Sequence, residues 1–359
     1  MDNKGLLFIP DISGFSRFVS ETEIEHSTLI IQELLEILIN ANQIGLEVSE
    51  IEGDAILFYK FGERPALEEL YKQVEKMFCE FHRNLFSYEH RRFCQCKACI
   101  SAIDLTLKVI THYGEFTNYN VKNFHKLIGK DLIVAHQLLK NDIKQHEYWL
   151  VTDNLVTEKK PADFAKWMQW NTSAKQTEAG ELPFCYTQLG ELKNEISPEP
   201  PVQLDLTKKI KSISISSEYD TDIITLLHAT GDFRYRNQWQ PGVVKVEELQ
   251  HFLPRVGMRC RFILENGEAI SYSSSYFFQP ERIEFSETDE KTQNTTYYTL
   301  EQISIKRTRL TLDFYTKKNF ISETLFRLKE KNKKESTFKQ SLDNLVGLVK
   351  ELKIPTALK

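Results

Sequence analysis

The stretch Phe8-Ile9-Pro10-Asp11-Ile12-Ser13-Gly14-Phe15-Ser16 indicates how the first part of this 359-residue chain folds. An apolar run of strand length ends at a carboxylate, and a glycine follows that lets the backbone turn close to a ligand and enter a helix. A second carboxylate, Asp54, stands between the runs 48–51 and 55–61, whose short connection predicts a hairpin. If these strands pair beside the first one, Asp11 and Asp54 meet at one edge of a sheet.

Two carboxylates at one sheet edge have the chemistry of a divalent-cation site. Mg²⁺ or Mn²⁺ takes hard oxygen ligands, here Asp11, Asp54 and the backbone carbonyl of Ile12, and substrate phosphates complete the shell. A plainer interpretation of the same residues stays open. In it, Asp11 caps a helix and Asp54 is an ordinary turn residue.

Strands and helices alternate up to about residue 193. The longest predicted helix, 16–42, carries apolar residues such as Leu34 and Leu38 at a spacing of three and four, which indicates one buried face. The alternation predicts an α/β sandwich with helices packed on a sheet. The predicted elements are strand 5–9, helix 16–42, strands 48–51 and 55–61, helix 65–86, strand 105–113, helix 130–140 and strand 148–152.

Residues 11–15 and Gly53-Asp54 resemble the two metal-binding motifs of class III nucleotide cyclases, and the likeness continues through 112–115 and 127–135. It covers roughly residues 5–195. The resemblance implies a ferredoxin-like α/β sandwich that works as a homodimer with sites between the subunits. It also implies Mg²⁺ or Mn²⁺ at Asp11, Ile12 and Asp54. The positions assigned to nucleotide binding are Gly14, Phe15, Lys126, Lys130 and Asp131.

Four positions depart from the cyclase pattern. Glu50 stands where the family has a base-reading lysine, and Lys126 where it has a base-selecting aspartate. Ile133 and Gln137 stand at the positions of the asparagine and arginine that orient the ribose and stabilise the pentavalent phosphate. Isoleucine donates no hydrogen bond, and glutamine brings no charge to a transition state that is stabilised electrostatically. These departures argue against ordinary adenylate or guanylate cyclase activity.

A proline-rich stretch, 194–204, separates the two halves of the chain. Three prolines within residues 198–201 remove backbone donors and favour an extended linker. We therefore expect a cyclase-like domain over 1–193 and a second domain over 205–359. The second domain reads as a strand, a short helix, a series of antiparallel strands and a long closing helix. This order predicts a helix-grip domain, in which a curved sheet wraps around the C-terminal helix.

The segment Trp239-Gln240-Pro241-Gly242 is similar to one in the helix-grip superfamily of START-related lipid-binding proteins and polyketide cyclases (SRPBCC). The resemblance covers about residues 205–355. It implies a cavity between sheet and helix that takes an apolar small molecule in many members. We expect the lining to include Phe262, Tyr276, Phe278 and Phe314. The alternative is that these aromatic residues fill an ordinary core, since core and pocket look the same in a sequence.

Three cysteines, Cys94, Cys96 and Cys99, are crowded into one short segment. Thiolates from such a loop, with His90 nearby, could hold a structural zinc ion tetrahedrally. Two alternatives stay open: reduced thiols in a connecting segment, and a redox switch.

Composition excludes several classes of protein. The formal net charge of −5 gives no global field that attracts nucleic acid or an anionic membrane. No apolar stretch reaches the roughly 18 residues of a spanning helix, and the first residues do not read as a signal peptide. We therefore expect a cytoplasmic protein that keeps its cysteines reduced, with neither nucleic acid nor membrane as partner.

Three functions fit these observations. We favour a regulatory protein that binds a metal ion and a nucleotide without catalysis and is coupled to a hydrophobic-ligand module. The second is a Mg²⁺- or Mn²⁺-dependent nucleotide cyclase with unusual catalytic groups, drawn from His125, Lys126, Lys130 and Asp131. The third is an apolar small-molecule binding protein whose first domain serves as a dimerisation platform. The expected partners are a nucleotide or small hydrophobic ligand and a second copy of the chain.

Overall fold

The chain folds into two compact units. In the computed structural model, the first unit comprises Met1–Ser87 and Ser101–Glu199, and the second comprises Tyr88–Ile100 and Pro200–Lys359. The second unit therefore includes a segment from the first half of the chain. The predicted division of the chain at residues 194–204 does not include this segment in the second domain. The structure describes residues 3–22, 24–92, 94, 96–156, 161–177, 180–197, 204–249, 256–318, 326 and 330–352.

A seven-stranded sheet is the framework of the first unit. Its strands and those of a small hairpin are β1 (Lys4–Ser13), β2 (Glu47–Glu52), β3 (Ala55–Phe61), β4 (Thr106–Glu115), β5 (Thr117–Val121), β6 (Phe124–Ile128), β7 (Tyr148–Thr152), β8 (Asn171–Thr177) and β9 (Gly180–Gln188). The order in the sheet is β2-β3-β1-β4-β7-β9-β8, and β5 pairs only with β6 among the described strands. The β4–β7 pair is parallel, and the other pairs are antiparallel. The predicted hairpin before and after Asp54 is present.

Five α-helices lie between the strands of the first half of the chain, within the described residues. They are α1 (Phe15–Glu21), α2 (Ile24–Asn40), α3 (Leu67–Arg91) and α5 (Lys130–Leu139), and a short α4 (Lys97–Ser101) follows α3 in the chain. Helix α5 packs on β1 and β4. The predicted helix 16–42 is two helices, because the backbone at Thr22 is extended where α1 ends. Within the described ranges, no helix has both the length and the apolar character needed to span a bilayer.

The second unit has a seven-stranded antiparallel sheet and a long C-terminal helix. Its strands are β10 (Lys209–Tyr219), β11 (Val243–Glu248), β12 (Arg259–Leu264), β13 (Gly267–Gln279), β14 (Arg282–Asp289), β15 (Thr295–Ser304) and β16 (Arg307–Lys317). Their order is β10-β16-β15-β14-β13-β12-β11. The helices are α6 (Ile223–Gly231), α7 (Arg236–Trp239) and α8 (Lys331–Glu351). The mixed α+β class and the closing helix are confirmed.

The closing helix is held by both apolar and polar contacts. Leu342, Leu345 and Val349 of α8 are buried in one apolar cluster with residues of the sheet and of α6. The hydroxyl of Tyr219, at the end of β10, donates to the carbonyl of Leu342 at 2.8 Å. The side chain of Asn344 donates to the carbonyl of Trp239 at 3.1 Å, which ties α8 to α7.

Candidate metal and nucleotide site

Strand pairing brings Asp11 and Asp54 together. Asp11 lies on the central strand β1, where it pairs with Ala55 of β3, the residue after Asp54. The amide of Ile12 donates to the carbonyl of Asp54 at 2.9 Å, which ties the β2–β3 turn to β1. Gly53 has a φ of 65°, a backbone geometry that a tight two-residue hairpin turn requires. Local turn chemistry and one strand pairing therefore produce the convergence that the sequence predicts.

Lys108 is a third charged group beside these two carboxylates. It lies on β4 opposite Asp11, with its Nζ 3.3 Å from Oδ1 of Asp11. Asp11 is only 8% exposed. This burial raises the pKa of Asp11 to about 6; Lys108 acts to lower it, and Asp54 raises it further. Burial raises the pKa of Asp54 as well. A divalent cation would stabilise the charged form of both groups.

Gly14 and Phe15 form the turn from β1 into α1. Gly14 has a φ of 90°, which side chains other than glycine rarely adopt, and its carbonyl accepts from the amide of Phe18 at 2.9 Å. Phe15 is half-buried, and its ring edge would be 3.7 Å from a Cβ built on Gly53, so the ring covers the β2–β3 turn. Ser13 and Gly14 also line an open groove of about 570 Å³. Both predicted residues thus lie beside the aspartate pair.

Glu50 and Lys126, at the two positions where the resemblance to nucleotide cyclases implies base reading, pair with each other. Lys126 of β6 forms an ion pair with Glu50 of β2. That hydrogen bond raises the pKa of Lys126. The two departures from the cyclase pattern, each of the opposite sign to the family residue, therefore compensate one another within one chain.

Both carboxylate oxygens of Asp131 make hydrogen bonds within the first unit. It is buried at the start of α5, and its Oδ1 is 3.1 Å from Nε2 of His112. Its Oδ2 accepts from the amide of Glu115 at 2.6 Å. Burial lowers the pKa of His112, and Nδ1 of that ring is 2.8 Å from the Thr152 hydroxyl. A Cβ added at Gly114 would lie 2.3 Å from Cγ of Asp131, so only glycine fits beside this carboxylate.

The remaining nucleotide and transition-state positions lie on α5. Lys130 is exposed at the first residue of the helix. Ile133 is 59% exposed, and Gln137 is half-buried beside Lys175, Gln176 and Thr177. Within the described part of the chain, none of these three side chains forms a hydrogen bond or ion pair with Asp11 or Asp54, although α5 packs on β1 and β4.

The cysteine cluster is the second place where a metal could bind. Cys94, Cys96 and Cys99 are buried, and their sulfur atoms lie within 4.8 Å of one another. Nε2 of the buried His228 lies 3.8 Å from Sγ of Cys94. This cluster of cysteines and histidine could bind a metal such as zinc. His90 lies on α3, but its side chain is outside the described part of the structure.

The four aromatic residues predicted to line an apolar cavity belong to two clusters. Phe314 is buried against Phe326 and Phe338, and Tyr276 and Phe278 pack partly buried against the same cluster. Phe262 belongs to a second cluster, where its ring lies 5.6 Å from that of Phe233. The sequence shows that these residues are aromatic, but it does not show which of the two clusters each one joins.

Buried hydroxyl groups form a polar row across the sheet of the second unit. Ser274 lies 2.8 Å from Ser286 and 2.9 Å from Thr288, and Thr288 lies 2.8 Å from Thr295. Beside this row, the buried Arg236 pairs with Glu287. The interior of this unit is therefore partly polar, which the aromatic content of the sequence does not indicate.

Lys108 is the residue of the site that sequence reasoning missed. The sequence offered one signal for it, a lysine placed between two apolar residues of a predicted strand. In the structure, Leu107 and Val109 are buried and the strand pairs along its length with β1. A smaller group was missed as well: Glu50, Glu52 and His136 offer ligand atoms within 4.8 Å of one another. Glu50 in that group is already paired with Lys126.

Comparison with known proteins gives matches to parts of the chain. A family model described as a protein of unknown function (DUF2652) matches residues 31–148. The uncharacterized protein Rv2561/Rv2562 of Mycobacterium tuberculosis (strain ATCC 25618 / H37Rv) is 32% identical over 121 residues, which are 34% of this chain and 56% of that protein. The chain thus spans about half the length of this curated relative.

Among solved structures, the N-terminal half resembles class III nucleotide cyclase catalytic domains. The guanylate cyclase domain of RhGC from Catenaria anguillulae in complex with GTP is 13% identical, with a TM-score of 0.37, covering 52% of this chain and 97% of that one. A bacterial light-regulated adenylyl cyclase is 15% identical, with a TM-score of 0.37, covering 54% and 95%. The hypothetical protein jhp0584 from Helicobacter pylori is 11% identical, with a TM-score of 0.34, covering 43% and 98%. These likenesses carry no information about activity.

Proposed function

We propose that the first unit binds a divalent cation, Mg²⁺ or Mn²⁺, together with the phosphates of a nucleotide, and that it does not cyclise the nucleotide. The observation that carries the proposal is the buried Asp11 next to Asp54, with the pKa of Asp11 raised to about 6. Holding two carboxylates together at such a place costs stability, and a divalent cation relieves that cost. Asp11 and Asp54 are the ligands, with the carbonyl of Ile12 as a third oxygen.

Three observations support binding without catalysis. Ile133 and Gln137 stand where the resemblance to nucleotide cyclases predicts the groups that stabilise the transition state. Glu50 and Lys126 form an ion pair with each other, so neither charge is directed at a nucleotide base. Asp131 is occupied by His112 and the Glu115 amide. Phosphoryl transfer depends on positioned positive charge, and these residues do not supply it.

The proposal includes a homodimer, because the resemblance assigns the site to two subunits. Conformational signalling then follows from closure of two copies around a bound nucleotide. The role of the second unit as a helix-grip ligand module also stays a prediction from resemblance. The buried Arg236–Glu287 pair of this unit favours an amphiphilic small molecule over a purely apolar one.

Calorimetry with Mn²⁺ and each of the four nucleoside triphosphates tests the proposal on the full chain. We expect wild-type protein to bind a Mn²⁺–nucleotide and to form no cyclic product by chromatography. Asp11→Asn removes a ligand charge and is expected to weaken binding by about 2–3 kcal/mol, or roughly 30- to 150-fold. Asp142→Asn, at an exposed position of the same unit, serves as the matched control and should bind like wild type.

Two outcomes would contradict this proposal. Equal affinity in Asp11→Asn and wild type would remove the aspartate pair as the binding site. Formation of a cyclic nucleotide that is lost in Asp11→Asn would instead establish a cyclase with unusual catalytic groups.

The affinity for Mn²⁺ is expected to depend on pH near 6. A proton and the cation compete for the Asp11 carboxylate, whose pKa is about 6. Between pH 7.5 and pH 5 the affinity should therefore fall about tenfold, whereas a carboxyl with an ordinary pKa would give almost no change. Titration calorimetry at both pH values measures this effect. In Lys108→Met, which removes the group that lowers the pKa of Asp11, the midpoint should move to higher pH. A flat affinity over this range would count against Asp11 as a ligand.

A further inference from the structure

The segment that carries the cysteine cluster belongs to the second unit. Residues Tyr88–Ile100 group with Pro200–Lys359, although the chain on both sides of the segment belongs to the first unit. Cys94 and Cys96 lie in the irregular stretch after α3, and Cys99 is on the short helix α4. All three side chains are buried.

The three sulfur atoms are close enough to share one metal ion, and a buried imidazole of the same unit lies beside one of them. The sulfur atoms lie within 4.8 Å of one another, and Sγ of Cys94 is 3.8 Å from Nε2 of His228 on α6. Ligand atoms at about 2.3 Å (sulfur) and about 2.0 Å (nitrogen) from a tetrahedral zinc ion lie roughly 3.5–3.8 Å apart. A sulfur–nitrogen pair lies at the short end of that range, so the 3.8 Å between Cys94 and His228 is about 0.3 Å longer than in a formed site.

Backbone amides point at the same sulfur atoms. The amide of Cys96 donates to Sγ of Cys94 at 3.4 Å, and the amide of Cys99 donates to Sγ of Cys96 at 3.5 Å. Hydrogen bonds of this kind stabilise thiolates and orient metal ligands. The local backbone is therefore arranged around the sulfurs as in a metal-binding loop.

We propose that Cys94, Cys96, Cys99 and His228 bind a structural zinc ion that fastens the segment Tyr88–Ile100 to helix α6. Three thiolates and one imidazole form a closed set of four ligands, which is typical of structural zinc and provides no open position for catalysis. The ion crosslinks residues that are 134 positions apart in the chain. Zinc binding and the folding of the second unit are then coupled.

Metal analysis of the full chain tests this proposal. Protein expressed in zinc-containing medium and purified under reducing conditions without chelator is expected to contain one zinc ion per chain. An organomercurial reagent that caps thiols should release the ion from the wild-type protein, a readout that needs no variant. Protein that contains no zinc and takes up none from a zinc-buffered solution would overturn the proposal.

Variants assign the ligands. Cys94→Ser, Cys96→Ser and Cys99→Ser should lose zinc, and the charge-transfer absorption of the Co²⁺-substituted protein should disappear with it. His228→Asn is expected to weaken zinc binding by more than about 100-fold, beyond what loss of an outer hydrogen bond costs. Cys260→Ser, a buried cysteine of the same unit outside the cluster, should retain the ion.

Zinc retained at wild-type affinity by His228→Asn would overturn the assignment of His228 as a ligand. Chelation of the wild-type protein should lower its melting temperature by about 10 °C or more. An unchanged melting temperature in protein that has lost its zinc would overturn the structural role.

Discussion

Arg236→Met is expected to lower the free energy of unfolding of the second unit by about 3–5 kcal/mol, because it leaves a buried carboxylate without its partner. Arg236 is 1% exposed, and its guanidinium pairs with both oxygens of Glu287. It also donates to the hydroxyl of Tyr298 at 3.0 Å and to the carbonyl of Thr230 at 3.1 Å. The guanidinium lies 4.7 Å from the ring centre of Trp239, so the fluorescence of that tryptophan can report unfolding in urea.

A second substitution separates charge from packing. Glu287→Leu in the Arg236→Met background removes the orphaned carboxylate and should restore stability to within about 1 kcal/mol of wild type. The matched control is Arg282→Met, whose exposed guanidinium pairs with Glu301 at 2.8 Å. That variant should cost less than about 1 kcal/mol. If Arg236→Met were as mild as the control, the buried pair would not be what stabilises this unit.

Asp131→Ala is expected to cost the first unit about 3 kcal/mol of unfolding free energy. The substitution removes a charged acceptor from the buried His112 and from the amide of Glu115. Because burial keeps His112 neutral by lowering its pKa, the ring cannot compensate by charging. Urea denaturation at pH 7.5 measures the loss, and Mn²⁺–nucleotide binding by the fraction that remains folded should be unchanged.

Asp131→Asn separates the two roles that this residue can have. The amide keeps the shape and one acceptor oxygen, so it should recover part of the stability that alanine loses. If Asp131→Ala instead kept full stability and lost nucleotide binding, Asp131 would contact the ligand, as the resemblance to nucleotide cyclases implies.

Local patterns predicted the elements around the aspartate pair well. The runs that become β2 and β3 are short and are separated by Gly53-Asp54, so turn chemistry predicts that they pair with each other. The pairing of β3 with β1 joins distant parts of the chain and had to be assumed. The break between α1 and α2 was missed because the apolar spacing that predicted the helix begins at Leu29 and carries no information about Thr22. The β5–β6 hairpin was missed because β5 is exposed along its length and leaves no buried face to detect.

Such local patterns could not predict which side chains meet across long distances in the sequence. Lys108 meets Asp11 only through the register of β4 against β1, and a shift of one residue would turn its side chain to the other face. His228 lies on a helix of the other half of the chain, so no local pattern links it to Cys94. The charge reversal at Glu50 and Lys126 was visible in the sequence, but their pairing with each other depends on where β6 packs.

The placement of Tyr88–Ile100 in the second unit has a consequence for biosynthesis. The ribosome synthesises this segment well before residue 200. The segment therefore cannot pack against the rest of the second unit, Pro200–Lys359, until that part of the chain has been made. A fragment that begins at residue 205 therefore lacks part of the second unit. Gene fusions or exchanges that aim to transplant the C-terminal half would have to carry two separate pieces of the reading frame.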